Sequence, residues 1–405
     1  MRWNKYLPFA ILYFFLNTAG LPLGLTFTAL LAPFFYLWVL LKRKEEVLLP
    51  FICCLLPFLL GHIFMSGVDN RKYAFAILNI FCVYIFCQAF YTWLKRDERK
   101  EVILKNLLVL NTIMCLAAVV FYFTPLSGIF WIRQDLTDNV DQFMRLKMLT
   151  YEASYYAVVF APLFLFFFLQ YVLKKDQYRS RWLLLMLFLP FVLSFSLGVI
   201  ICLLIAGLLV FAFHFRSLAG KRRVFNGFLT FSVAGVLILL AGFIFFPDNP
   251  LFIRLENIFA GKDTSSSGRT ADAFLLARNL LEQKNLWWGI GAGQLSLEGG
   301  DLIRGYYLYH HSTPVAIPNA AAETLALFGW IGFATRLIIL TGLFFVTRVW
   351  TNYYRLTLFF FMVIYQFMGS YITSIPEYVI WILCFTNAFP VFDVKPRKEY
   401  RPALA

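Results

Sequence analysis

Charge is scarce in this chain, and acid is scarcer than base: 14% of residues are Asp, Glu, Lys or Arg, with 22 acids against 36 bases and four histidines. So little charge cannot cover a water-soluble surface, and 61% hydrophobic residues with a mean hydropathy of +0.72 exclude an ordinary soluble domain. Also lacking are the segments of alternating polarity, about ten residues long, from which a transmembrane β-barrel is built. Cysteine is missing from every polar stretch. Cys53, Cys54, Cys82, Cys87, Cys115, Cys202 and Cys384 all lie in apolar runs and read as buried small hydrophobes, not a disulfide framework. Cys82 and Cys87 lack zinc-ligand spacing and have no acidic or histidine neighbour, so no metal site is expected there.

What is present is one apolar run after another, rich in the 48 Phe whose rings need no hydrogen-bond partner in hydrocarbon. An all-α, polytopic membrane fold follows, a single membrane domain over 1–405. Runs ended by charge give about twelve candidate spans: 6–21, 23–41, 47–66, 73–94, 102–125, 154–173, 182–195, 197–215, 224–246, 320–347, 356–374 and 378–392. The first could pass for a signal peptide, but a second span follows at once and no small-residue cleavage site stands out, so it is kept as a span.

Lys and Arg set the orientation. Lys42-Arg43-Lys44, Lys95-Arg96, Lys174-Lys175, Lys221-Arg222-Arg223 and Arg348 with Arg355 occupy alternate connections, and a tail over 393–405 adds four more bases. Both termini are therefore expected in the cytoplasm. The net charge of +14 reads as a topology signal and an affinity for anionic membrane lipid, with no nucleic acid as partner. Two long connections then fall on the exported side, 126–153 and 247–319, the latter between the ninth and tenth spans.

Those exported loops carry Arg133, Arg145, Lys147, Arg254, Lys262, Arg269, Arg278, Lys284 and Arg304, where the positive-inside rule disfavours them. Local acids could simply pair with them; an anionic ligand is the sharper reading. In the larger loop, Ser267 or Thr270 is placed to cap an amphipathic helix running through Ala271, Phe274, Leu275, Ala277, Arg278, Leu280 and Leu281, with Arg269 at its phosphate-favouring start. Its apolar face suits the membrane surface. Trp287-Trp288-Gly289-Ile290-Gly291-Ala292-Gly293 follows, interfacial aromatics and then glycines at Gly289, Gly291 and Gly293. They could cradle a substrate or pack a tight loop against a helix. No βαβ unit surrounds them, so a dinucleotide site is set aside.

The run from Gly268-Arg269 through that helix, then Gly289-Ile290-Gly291-Ala292-Gly293, then Asn319 ahead of Gly329-Trp330-Ile331-Gly332, resembles the bacterial O-antigen polymerase and O-antigen ligase superfamily. RLKMLTYEASYYA, from Arg145 to Ala157, is similar to the Arg and Glu-x-Ser element these polymerases place before a mid-chain span. Span number and loop position extend the resemblance over nearly the whole chain. It implies a GT-C-like glycosyltransferase of the bacterial inner membrane whose site faces the periplasm. The implied substrate is an undecaprenyl-diphosphate-linked glycan, transferred with inversion and without metal or cofactor, with a separate chain-length regulator as a further partner. Ligases carry a histidine before the Asn, whereas this chain has Pro318, which favours the polymerase branch.

Such a transfer needs positive charge on the departing diphosphate and a base on the acceptor hydroxyl. Arg145 and Arg269 are the leading diphosphate contacts, with Arg278, Arg304, Gly289, Gly291, Gly293 and Asn319 as further substrate contacts. The candidate bases are Glu152, Glu323, His310 and His311; each carboxylate could equally be a helix-start acid favoured by the dipole. No Asp-x-Asp pair stands in the exported loops to hold a divalent cation. Arg336, inside the tenth span, is expected to pair with Glu377. The ligase reaction is one alternative function; a lipid-linked oligosaccharide flippase or transporter is the alternative from another class.

Overall fold

A computed structural model describes residues 6–18, 27–43, 47–97, 99–134, 143–173, 181–215, 268–307 and 315–394. In chain order these form α1 (Leu7–Ile11, continued by a π-helical turn over Leu12–Leu16), α2 (Phe27–Leu30), α3 (Ala32–Arg43), α4 (Leu48–Ile63), α5 (Asn70–Arg96) and α6 (Lys100–Tyr122). Then come β1 (Trp131–Gln134), β2 (Phe143–Leu146), α7 (Ala153–Val172), α8 (Arg181–Ser194) and α9 (Leu197–Phe213). The last third gives α10 (Ala271–Gln283), α11 (Leu295–Glu298), α12 (Gly300–Tyr307), α13 (Ala320–Val346), α14 (Tyr353–Tyr365) and α15 (Ile375–Phe385). The described fold is all-α apart from the β1–β2 hairpin, which pairs Ile132 with Arg145.

Among the described residues four helices, α5, α6, α7 and α13, are long and apolar enough to cross a membrane. Seven apolar segments are shorter than that, among them α8, α9, α14 and α15. The expected runs overestimate these helices because apolar character outlasts helical geometry. The run 356–374, for instance, leaves the helix at Tyr365, and Ser370 turns to a φ of +68° before Pro376 opens α15. The expected ninth span, the cap candidate Ser267, His310, His311 and the basic tail lie outside the described residues.

Helix ends follow local chemistry. Asp69 caps α5 by accepting from the N–H groups of Arg71 and Lys72, and Lys95 and Arg96 close its negative end. The largest apolar cluster is built around α7, which is buried almost continuously from Tyr156 to Phe167, as a helix apolar all round must be. A second cluster joins α10 and the start of α13 to residues of α4 and α5.

Helix α10 forms where expected, with two corrections. Thr270 occupies the N-cap position but its side chain makes no capping hydrogen bond. Of the apolar residues, Ala273, Ala277, Leu280 and Leu281 are buried in the second cluster and Leu276 is buried beside them, while Leu275 stays exposed, so most of the face is used in protein packing. Phe274, at the edge of that face, stacks on Phe367.

Candidate functional site

The ends of four helices meet around one cleft: α7, α13 and α15 begin there and α14 ends there. The cleft opens to solvent and is lined by Glu152, Arg269, Pro318, Ser370 and the tyrosines 151, 155, 365 and 371. Glu152 is the N-cap residue of α7, and its carboxylate lies 3.4 Å from the guanidinium of Arg269, 117 positions away in the chain. The side chains remain 19% and 33% exposed, so the pair faces the cleft and is not sealed in protein. Burial opposes the charge on Arg269, but Glu152, with Tyr365 and Tyr371, more than offsets this and holds the guanidinium protonated more firmly than a free arginine. A partly exposed pair of this kind contributes only about 0–1 kcal/mol to stability. Its placement therefore matters more for chemistry than for folding.

Asn319 aims Arg269. It is fully buried as the N-cap of α13: Oδ1 accepts from the Ala322 N–H at 2.9 Å, and Nδ2 donates to the carbonyls of Arg269 and Phe367, each at 2.8 Å. The next N–H groups are also committed, Ala320 to the Gly369 carbonyl and Ala321 to the Gln366 carbonyl. The first turn of α13 thus spends its donors on protein, leaving Arg269 as the cation offered to the cleft. Glu323, one turn on, is buried and accepts from the Ile372 N–H at 2.7 Å, which fixes the loop carrying Tyr371.

The glycine run is used for backbone contact. Helix α13 is broken at Gly329, whose φ of +65° and ψ of −167° belong to a region open essentially to glycine alone. Loop 286–291 runs beside the break and takes over its hydrogen bonds. Ile290 and Gly291 donate to the carbonyls of Ala326 and Leu327, while Trp330 and Ile331 donate to those of Leu286 and Trp287. At Gly289 a Cβ would stand 2.6 Å from the Leu327 carbonyl oxygen and the Gly329 nitrogen. Gly293 comes as close to the Lys72 carbonyl at the head of α5, where Gln294 exchanges hydrogen bonds with the backbone of Asp69.

His62, which the sequence reading passed over, anchors this loop from α4. Its Nε2 lies 2.7 Å from the Trp288 carbonyl, which can only accept, so Nε2 carries the proton and Nδ1 accepts from the Tyr73 hydroxyl at 2.9 Å. Gly61 leaves room for the Trp288 indole.

The remaining candidates are dispersed. Arg145 is 5% exposed, and its Nε donates to the Ser194 carbonyl at the end of α8; it does not line the cleft. Arg278 points outward and pairs with Glu282 one turn away. Arg304 lies on α12, with its Nε buried and without a hydrogen-bond partner among the described residues. The cleft tyrosines were missed because Tyr at a helix end reads equally well as a membrane-interface residue. Below the cleft, Arg336 binds Glu377 as expected and adds Gln366 and Thr324 as acceptors, while Ser370 and Trp381 donate to Glu377.

Among the described residues no group of three or more His, Cys, Asp or Glu is placed to hold a metal ion. No protein-family model matches the sequence, and no curated protein is similar to it.

Proposed function

We propose that this protein is an inner-membrane glycosyltransferase that extends a surface polysaccharide from polyprenyl-diphosphate-linked repeat units on the exported face. The observation that carries the reading is the meeting of Arg269 and Glu152 in a tyrosine-lined cleft at the ends of apolar helices. A diphosphate offers more negative charge than one carboxylate and takes Arg269 from Glu152 by a bidentate contact. Glu152, released, accepts the proton of the acceptor hydroxyl. The hydroxyl oxygen bonds to the anomeric carbon, the bond from that carbon to the diphosphate breaks, and Arg269 stabilises the departing charge. Tyrosine rings give sugars flat apolar faces with hydroxyls at their edges.

The buried Arg336–Glu377 pair favours a second reading, transport of the same lipid-linked glycan, since charges held within spans commonly mark transport paths. The test is deletion of the gene in its host, followed by separation of lipopolysaccharide and lipid-linked glycans by size. One repeat unit on the lipid A core means polymerase. Bare core with long chains on the polyprenol means ligase, bare core with only single repeat units on the polyprenol means transport, and an unchanged ladder sinks all three.

A further inference from the structure

The strap 366–372 follows α14 toward the start of α15 and carries Gly369, Ser370 and Tyr371 on the cleft wall. Neighbouring helices tie it down at one peptide after another. The head of α13 donates to its carbonyls, Ala321 to Gln366, Asn319 to Phe367 and Ala320 to Gly369. Further on, the Ile372 N–H donates to Glu323 at 2.7 Å, and the Ile372 carbonyl accepts from the Tyr378 hydroxyl at 2.7 Å. Within this frame Ser370 has a φ of +68°, a left-handed backbone that is costly for a residue with a Cβ. Such strain persists only where the surroundings overdetermine it, and it gathers where a side chain has a ligand to meet.

A serine hydroxyl is ordinarily ambivalent, with one proton and two lone pairs that rotate to suit a partner. At Ser370 the choice is already made. Glu377 is fully buried and binds Arg336; its Oε1 also accepts from Trp381 Nε1 at 3.3 Å, and its Oε2 accepts from the Ser370 hydroxyl at 2.8 Å. A carboxylate held by a guanidinium has no proton to give in return, so Ser370 commits its only one there. What remains on Ser370 is acceptor capacity, which no donor among the described residues takes up. The cleft is thereby sorted by polarity. Arg269 suits an anion, whereas lone pairs at Ser370 repel phosphate and carboxylate oxygens and accept from a neutral O–H or N–H.

We propose that Ser370 is a specificity-determining contact for the acceptor sugar, taking a hydrogen bond from a second hydroxyl or an acetamido N–H of the ring whose reacting hydroxyl meets Glu152. The assignment rests on the glycosyl-transfer reading of the cleft. Arg336 and Glu377, which do not line the cleft, are positioning residues that set where the Ser370 proton points. This gives the buried ion pair a purpose other than stability, where an apolar pair would serve as well.

The test measures binding to the full chain in phospholipid nanodiscs. Its probes are an oligosaccharide cut from the host's surface polysaccharide, the same oligosaccharide permethylated so that every O–H and N–H donor is gone, and inorganic pyrophosphate. Ser370→Gly removes the hydroxyl and eases the left-handed backbone, so it is expected to keep the wild-type melting temperature. It should bind the native oligosaccharide roughly threefold to tenfold more weakly than wild type, the scale of one hydrogen bond, and should show no deficit on the permethylated one. Pyrophosphate should bind both alike. Ser370→Ala, which keeps the strain, should repeat the result and serves if the glycine variant unfolds. A deficit of equal size on native and permethylated probes makes Ser370 structural and overturns the proposal. So do a loss of pyrophosphate binding, which puts Ser370 on the anion side, and native-oligosaccharide binding that is absent in wild type or unchanged in the folded variant. The glycan ladder judges the transfer reading separately. A donor-dependent loss in Ser370→Gly beside an unchanged ladder after gene deletion keeps the sugar contact and removes the transfer; a ladder lost on deletion beside unchanged sugar binding does the reverse.

Discussion

The amide of Asn319 holds the main-chain carbonyl of Arg269 at 2.8 Å, across 50 positions of sequence, while its oxygen caps α13. One side chain therefore joins a helix start to the residue that supplies the cleft with its cation. Asn319→Ala removes the cap, at about 1 kcal/mol, and strands two buried carbonyls, at about 1–3 kcal/mol more. Asn319→Asp keeps the cap acceptor but loses both donations. Thermal unfolding should rank wild type above both variants, and if the cleft polymerises as proposed, polymer synthesis should fall in Asp as well as in Ala, because Arg269 is released in each.

Arg269→Lys keeps a charge and loses the fork. If the cleft transfers sugar from a diphosphate, this variant should slow chain growth by about 10²–10³-fold, the scale of losing one aimed electrostatic donor. Glu152→Gln should slow it by about 10²–10⁴-fold through loss of the proton acceptor. Neither should change the melting temperature much, since the pair is partly exposed. Normal polymer from well-expressed Arg269→Lys and Glu152→Gln would remove both residues from the site.

Three glycine substitutions should separate by severity. Gly329→Ala forces a Cβ against the Trp287 carbonyl in glycine-only backbone, and Gly289→Ala meets the Leu327 carbonyl; both are expected to misfold or lose several degrees of stability. Gly291→Ala has its nearest neighbour at 3.4 Å, so only its φ of +93° counts against it, at about 1–3 kcal/mol. Equal stability for all three in a detergent melt would mean that the loop does not hold α13 as described.

Glu377→Ala strands Arg336 inside the bundle and should cost about 3–5 kcal/mol. The double variant Arg336→Leu with Glu377→Leu should recover much of that loss, because an apolar pair needs no compensating charge. If the double variant is as unstable as the single one, Gln366, Thr324 and Ser370 depend on the ion pair for their own placement.

Arg278→Ala should be nearly silent. Its partner is Glu282 on the same exposed face, a pair contributing about 0.3–0.5 kcal/mol. A clear fall in polymer length would extend the substrate path beyond the cleft.

The helices were legible because apolar runs and charged boundaries are local signals, and α5, α6 and α7 lie within a few residues of the expected runs. Arg269, Glu152 and Asn319 were each visible as candidates. Their meeting was not, because it depends on how α7, α10 and α13 pack, which no local pattern encodes. The hairpin escaped notice because strands of four residues are too short to show alternation. His62 looked like an isolated polar residue in an apolar run, and only the folded position of the Trp288 carbonyl gives it a purpose.

The joint between loop 286–291 and the break in α13 is made from main-chain atoms and admits no side chain at Gly289 or Gly329. The two strips must be inherited together: a chimera that takes one from a relative and keeps the other is expected to fail even when every side chain looks compatible. The stretch between them is anchored in its own right: Gly293 and Gln294 dock on the head of α5, Ile303 and Ile317 fill the second cluster, and Asn319 holds Arg269, so a change there disturbs the cleft as well as the joint.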